Sequence, residues 1–127
     1  MSMQIVLDTD VVIHLLRKQA LAVERFLGLV DQSAEFLLSP VVVAEIYAGA
    51  FVREHKQIET LFAMFREADV DGAIARRAGH YANKFRKAYQ GISPEDYLLA
   101  ATAHEYSCSL WTGNRKHYPM DDIQLVG

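Results

Sequence analysis

Three acids stand among residues that give them little reason to be there. Asp8 closes the apolar run Ile5-Val6-Leu7, with Thr9 and a second acid, Asp10, behind it. Glu45 sits inside Val41-Val42-Val43-Ala44-Glu45-Ile46. Asp96 follows Ser93-Pro94-Glu95 and opens the apolar, small-residue stretch Tyr97-Leu98-Leu99-Ala100-Ala101-Thr102-Ala103. A carboxylate at the edge of an apolar core is costly unless something pairs with it. Three carboxylates brought into one pocket would repel and raise one another's pKa. A divalent cation resolves that repulsion, and carboxylate oxygens suit Mg²⁺ or Mn²⁺.

Each acid also has a structural reading. Asp8 can cap a helix that starts near Asp10, although Thr9 or Asp10 could serve as well. Glu45 lies more than a turn inside the helix opened by Ser39-Pro40, so it does not cap that end. It either meets solvent or an arginine, or faces the same crevice as Asp8. Asp96 completes the capping box Ser93-Pro94-Glu95-Asp96, and taken alone it reads as structural.

The elements that must position these acids follow from the apolar spacing. Met3–Leu7 and Glu35–Leu38 read as short buried strands, as do Ser107–Trp111 and Ile123–Val126. Between them come helices from about Asp10, over residues 19–30, from Ser39-Pro40 to about Ala50, and from about Arg53 to Glu67. Two more span about Gly72 to Tyr89 and Ser93-Pro94 to about Tyr106. Short apolar strands separated by helices predict an α/β fold: a parallel sheet of about four to five strands covered on both faces. In such a sheet ligands bind beyond the carboxyl ends of the strands, which is where Asp8 must lie.

The 127 residues suit one domain, with no internal repeat or low-complexity linker. An apolar fraction of 51% and a charged fraction of 23% are ordinary globular values. The net charge of −3 argues against a protein coated in positive charge, but not against a local basic stripe. No apolar run is long enough to span a membrane and no leader precedes the first strand, so a cytoplasmic protein is expected. Cys108, the single cysteine, lies in an apolar run and reads as a small buried hydrophobe.

Four stretches, in order, are similar to the four motifs of PIN-domain ribonucleases: "IVLDTDVVIHLLR", "LSPVVVAEIYAGA", "ISPEDYLLAATA" and "LWTGNRKHYPM". The chain most resembles the VapC-type toxins of toxin–antitoxin modules. That resemblance implies a PIN-like fold and a Mg²⁺- or Mn²⁺-dependent endoribonuclease that leaves a 5′-phosphate and a 3′-hydroxyl. Asp8, Glu45 and Asp96 match the three acids that hold the metal. Many relatives carry a further acid at the position of Asn114 or of His117, and this chain has neither, so a second metal is in doubt. Asn114 would then order a water or a carboxylate through its amide, with Thr9 and Thr112 supporting the site. Asp121 and Asp122 read as surface residues. The resemblance also implies a homodimer and a cognate antitoxin laid over a helical groove, for which Ile58, Leu61, Phe62 and Phe65 are candidates alongside a role as plain core.

RNA needs positive charge outside the acidic pocket. Arg76, His80, Lys84 and Lys87 are spaced to share a helix face, and Arg115 and Lys116 flank the fourth motif. The five histidines show no metal-binding spacing and are given no catalytic role. Two alternatives remain. Asp8-x-Asp10 fits the nucleophile motif of haloacid-dehalogenase-type phosphatases, with Asp10 as acid/base. The chain is also compatible with a PIN-like binding module that has lost activity. A receiver domain, with five regular strand–helix units, is disfavoured by the helical middle.

Overall fold

The computed structural model describes residues 3–126. Strand β1 (Gln4–Leu7) leads into α1 (Thr9–Leu16) and α2 (Ala20–Asp31). Strand β2 (Glu35–Leu38) is followed by α3 (Pro40–Ala48), a 3-10 turn (Val52–Glu54) and α4 (His55–Phe62). After β3 (Arg66–Glu67) come α5 (Gly72–Phe85) and α6 (Pro94–Glu105). Strand β4 (Ser109–Trp111), a 3-10 turn (Arg115–His117) and β5 (Gln124–Val126) complete the series.

The five strands form one parallel sheet in the order β3-β2-β1-β4-β5. The chain first builds outward from β1 to β2 and β3. It then crosses back through α5 and α6 to lay β4 on the other side of β1. That reversal opens a crevice at the carboxyl ends of β1 and β4, the place where parallel α/β sheets bind ligands. Leu7 pairs with Trp111, and the Asp8 N–H donates to Trp111 O at 2.9 Å. Asp8 and Thr112 therefore leave their strands side by side.

The central strands are apolar on both faces because both faces are covered. Ile5, Val6, Leu7, Leu37, Leu38 and Leu110 are fully buried. Helix α6 is buried around most of its circumference: Leu99, Ala100, Ala101 and Ala103 are inaccessible, and it packs against α5, β1, β4 and α3. Its small residues let the backbones approach closely. Thr102 satisfies its buried hydroxyl by donating to Leu98 O at 2.8 Å.

The middle of the chain departs from expectation. The apolar spacing at Ile58, Leu61, Phe62 and Phe65 predicted one helix to Glu67, but the helix ends at Phe62 and Arg66–Glu67 add an edge strand. Phe65 still packs against the core, with ring centroids 6.2 Å from Phe26 and 5.9 Å from Phe36. β3 is held by backbone pairing to β2 while both of its side chains are exposed, so no apolar alternation marks it. Helix α5 ends four residues before Tyr89. β4 begins at Ser109 because Ser107 adopts φ 54° and cannot belong to a strand. Cys108 is buried, as its apolar run predicted, and burial pushes its thiol pKa up. Asp122 is at the surface yet accepts a hydrogen bond from the buried Tyr81 hydroxyl at 2.8 Å. Among the described residues, no helix is long and apolar enough to cross a membrane.

Candidate active site

Asp8 is the hub of the crevice. It is the N-cap of α1 and 5% exposed. Its Oδ1 accepts from the Thr9 N–H at 2.7 Å. Its Oδ2 accepts from the Thr112 hydroxyl at 2.7 Å and from the Tyr118 hydroxyl at 2.9 Å. Capping and facing the crevice are therefore not alternatives: one carboxylate does both, because α1 starts directly at the strand end. All three donors are uncharged. Burial raises the Asp8 pKa, the Thr112 bond opposes it, and the nearby Asp10 adds to the rise.

Asp96 comes from the N-terminal turn of α6. The capping box is real: the Ser93 N–H donates to Asp96 Oδ2 at 3.1 Å and the Asp96 N–H donates to Ser93 Oγ at 3.1 Å. Its other oxygen, Oδ1, accepts from the Tyr118 hydroxyl at 3.2 Å. The cap thus orients the acid that faces Asp8. His117 Nδ1 also stands 3.2 Å from Asp96 Oδ2.

Glu45 projects from α3 at the exposed rim, and its Oε1 accepts from the Thr9 hydroxyl at 2.8 Å. Its pKa is raised, first by partial desolvation and then by Glu95, Asp8 and Asp96; the Thr9 bond works against the rise. The three acids are close enough to feel one another, and Glu95 adds a fourth negative charge that the sequence reading did not single out. Among the described residues no three His, Cys, Asp or Glu side chains are already grouped as a cation cage. Hydroxyls of Thr9, Thr112 and Tyr118 take up carboxylate oxygens there instead.

Tyr118 and His117 are the residues that sequence reasoning missed. Tyr118 is 3% exposed, and burial beside Asp8 and Asp96 pushes its phenol pKa far above the ordinary value, so it remains a donor. The signal in the sequence was slight: an aromatic in a stretch already rich in polar groups, which reads as core. Asp10 has both oxygens engaged by backbone, Oδ1 by the Val11 N–H at 2.9 Å and Oδ2 by the Gly113 N–H at 2.9 Å. It ties α1 to the loop after β4.

The PIN domain family model matches residues 5–123. This chain belongs to the PIN-domain family. Two curated relatives, both from Mycobacterium tuberculosis, show the same. Ribonuclease VapC19 is 33% identical over 119 residues, 93% of this chain and 95% of the relative. Ribonuclease VapC10 is 34% identical over 116 residues, 91% of this chain and 86% of the relative. The PIN-like fold recurs in the structure of VapBC2 from Rickettsia felis bound to a DNA fragment from their promoter. There the TM-score is 0.84 at 19% identity, covering 98% of each chain. It recurs also in VapBC-1 from nontypeable Haemophilus influenzae, with TM-score 0.82, 22% identity and coverage of 98% and 97%.

The remaining positions of this PIN domain fall around the acids. Asn114 is exposed, and the contact it contributes is through its backbone: its N–H donates to Thr112 Oγ1 at 2.9 Å, steering the hydroxyl that holds Asp8. Arg115 and Lys116 lie in the 3-10 turn that follows, both exposed. Arg76, His80 and Lys84 are exposed on α5, but Lys87 lies past the helix end, so the four do not share one helix face. Of the four groove candidates, Ile58 and Phe62 are buried core and Leu61 and Phe65 pack against it. The depression in this region is lined by Ile13, Leu16, Ile46 and Ile58 together with the polar Arg17, Glu45, Glu54 and Gln57, so of the four candidates it is Ile58 that faces it.

Proposed function

We propose that this PIN domain is a divalent-cation-dependent endoribonuclease and the toxin of a toxin–antitoxin pair. The observation that carries the reading is the convergence of Asp8, Glu45 and Asp96 from three separate elements at one crevice, with the Asp8 and Glu45 pKa values raised. The donor chemistry fits Mg²⁺ or Mn²⁺: hard carboxylate oxygens whose repulsion a cation would offset. Asp8, Glu45 and Asp96 would hold it. When bound, such a cation supplies Lewis acidity toward water and the scissile phosphate. The chain's own groups do the positioning. Thr112 and Tyr118 orient Asp8, Thr9 orients Glu45, and the α6 cap orients Asp96. Asn114 and His117 stand where the resemblance implies a further acid, so the three carboxylates make one cation position and neither side chain adds a carboxylate for a second.

Arg76, Lys84, Lys87, Arg115 and Lys116 are the proposed phosphate contacts. The VapC relatives named as ribonucleases support the activity, and the VapBC assemblies support an antitoxin partner. The depression between Ile13, Leu16, Ile46 and Ile58, which reaches Glu45, is the proposed antitoxin seat. A cytoplasmic homodimer completes the proposal. A phosphatase would need Asp10 as acid/base, and its two engaged oxygens speak against that role.

The test is RNA cleavage by the purified protein with Mg²⁺ or Mn²⁺ and with EDTA, beside Asp96→Asn. Asparagine keeps an amide oxygen that can accept from the Ser93 N–H, as Asp96 does in the capping box. Cleavage that needs the cation and vanishes in a folded variant is expected. Cleavage that survives the substitution would reduce Asp96 to a cap. Mn²⁺ binding without cleavage of any RNA would favour an inactive module.

A further inference from the structure

The Tyr118 hydroxyl touches two acids that are 88 residues apart in the chain: it lies 2.9 Å from Asp8 Oδ2 and 3.2 Å from Asp96 Oδ1. The Tyr118 side chain is 3% exposed, while Glu45 stands at the exposed rim. On Asp8, the Thr112 and Tyr118 hydroxyls both fall on Oδ2, and Oδ1 carries the Thr9 N–H. On Asp96, the Ser93 N–H falls on Oδ2, and Oδ1 meets the phenol. One oxygen of each acid is thus turned toward the other across a single phenol group.

We infer that Tyr118 is a positioning residue of the cation site, whose hydroxyl holds Asp8 and Asp96 face to face before any cation arrives. The inference rests on the cation-dependent reading above. Two carboxylates at this spacing repel, and the single phenol hydrogen, shared between Asp8 Oδ2 at 2.9 Å and Asp96 Oδ1 at 3.2 Å, gives them one common partner of opposite partial charge. The ring is buried, and its few torsions leave the position of its oxygen to be set by packing and by the backbone after β4. Phenylalanine would fill the same space and leave the two acids to swing apart. A cation would then have to gather them again, and its affinity would fall. Outer-shell groups that orient metal ligands act in this way.

The experiment is Tyr118→Phe with three readouts: Mn²⁺ affinity from electron paramagnetic resonance of the free ion, Tm in EDTA, and kcat against KM for RNA. The expected result is an Mn²⁺ dissociation constant raised about ten- to a hundredfold. kcat should fall at nearly unchanged KM, and Tm in EDTA should also drop, because a buried donor to carboxylate is lost. A wild type that binds no Mn²⁺ overturns the cation-dependent reading itself, and the inference with it. A wild type that binds Mn²⁺ while the variant binds it equally well overturns the inference alone. A fall in Tm with unchanged affinity does the same, since Tyr118 would then be plain core. Should the variant not fold, wild type labelled with ¹³C at tyrosine Cζ is titrated with Mg²⁺. A tyrosine resonance that shifts with saturation is expected, and Mg²⁺ binding with every tyrosine resonance unmoved overturns the inference.

Discussion

The Thr9 hydroxyl donates to Glu45 Oε1 at 2.8 Å, joining the first turn of α1 to the middle of α3. The bond lies at the exposed rim, so it contributes little to stability and much to the direction in which Glu45 points. Thr9→Val keeps the shape and removes the donor. Tm is expected to stay within a degree or two and kcat to fall severalfold, as measured by thermal melts and steady-state cleavage. Unaltered kcat would detach Glu45 from the chemistry.

Asp10 spends both oxygens on backbone N–H groups, those of Val11 and Gly113. Asp10→Ala is expected to cost about 1.5–3 kcal/mol of stability, the range for hydrogen bonds to charged groups, read from urea denaturation. RNA cleavage should persist within a few-fold at a temperature where the variant is folded. Complete loss of activity in a folded variant would return Asp10 to a catalytic role.

Asp8 imposes a pH dependence on the cation-free protein. Its folded pKa is raised above the ordinary value of 3.8, chiefly by burial. The folded state therefore holds the proton at pH values where the unfolded chain has released it. Stability falls as pH rises through the window from 3.8 to the raised pKa, and the loss is complete above it. Acidifying from neutrality into that window should stabilise wild type in EDTA relative to Asp8→Asn. Tm measured across a pH series for both proteins checks the sign. Cation binding has the opposite slope, since protons compete for the same oxygens.

Lys116 is exposed beside the fourth motif. If it contacts RNA phosphate, Lys116→Ala should raise KM for every RNA sequence alike. It should also flatten the dependence of log affinity on log salt by about 0.7 for one lost contact to a single strand. Filter binding at several salt concentrations decides it, and an unchanged slope would leave Lys116 as a solvated surface residue.

Leu99 is fully buried in α6, which packs against the sheet and α5. Leu99→Ala is expected to cost about 2–5 kcal/mol, because the surrounding elements relax only partly around the cavity. Chemical denaturation would show it. A cost under about 1 kcal/mol would contradict tight packing around Leu99.

Much of this protein is written in local patterns. The apolar runs Ile5–Leu7 and Phe36–Leu38 announce buried parallel strands, and Ser39-Pro40 and Ser93-Pro94 announce helix starts. These are short-range effects: burial of consecutive side chains, a preset proline φ, a hydroxyl capping an N–H. The three acids were legible for a related reason. An ionisable group in an apolar neighbourhood is costly, and its presence in the sequence asks for a partner. β3 was not legible, because an edge strand of two exposed residues is held by backbone hydrogen bonds that carry no side-chain signature.

The sequence by itself determined the candidates: which acids, which caps, which strands, and that a cation would suit them. Tertiary structure alone decided what surrounds them. Thr112 reaches Asp8 across 104 residues and Tyr118 reaches it across 110, because the reversal after β3 lays β4 beside β1. A hydroxyl shared between distant carboxylates depends on where two crossovers bring the chain. Crossover paths are set by the packing of whole helices on a sheet, which no short stretch of residues encodes.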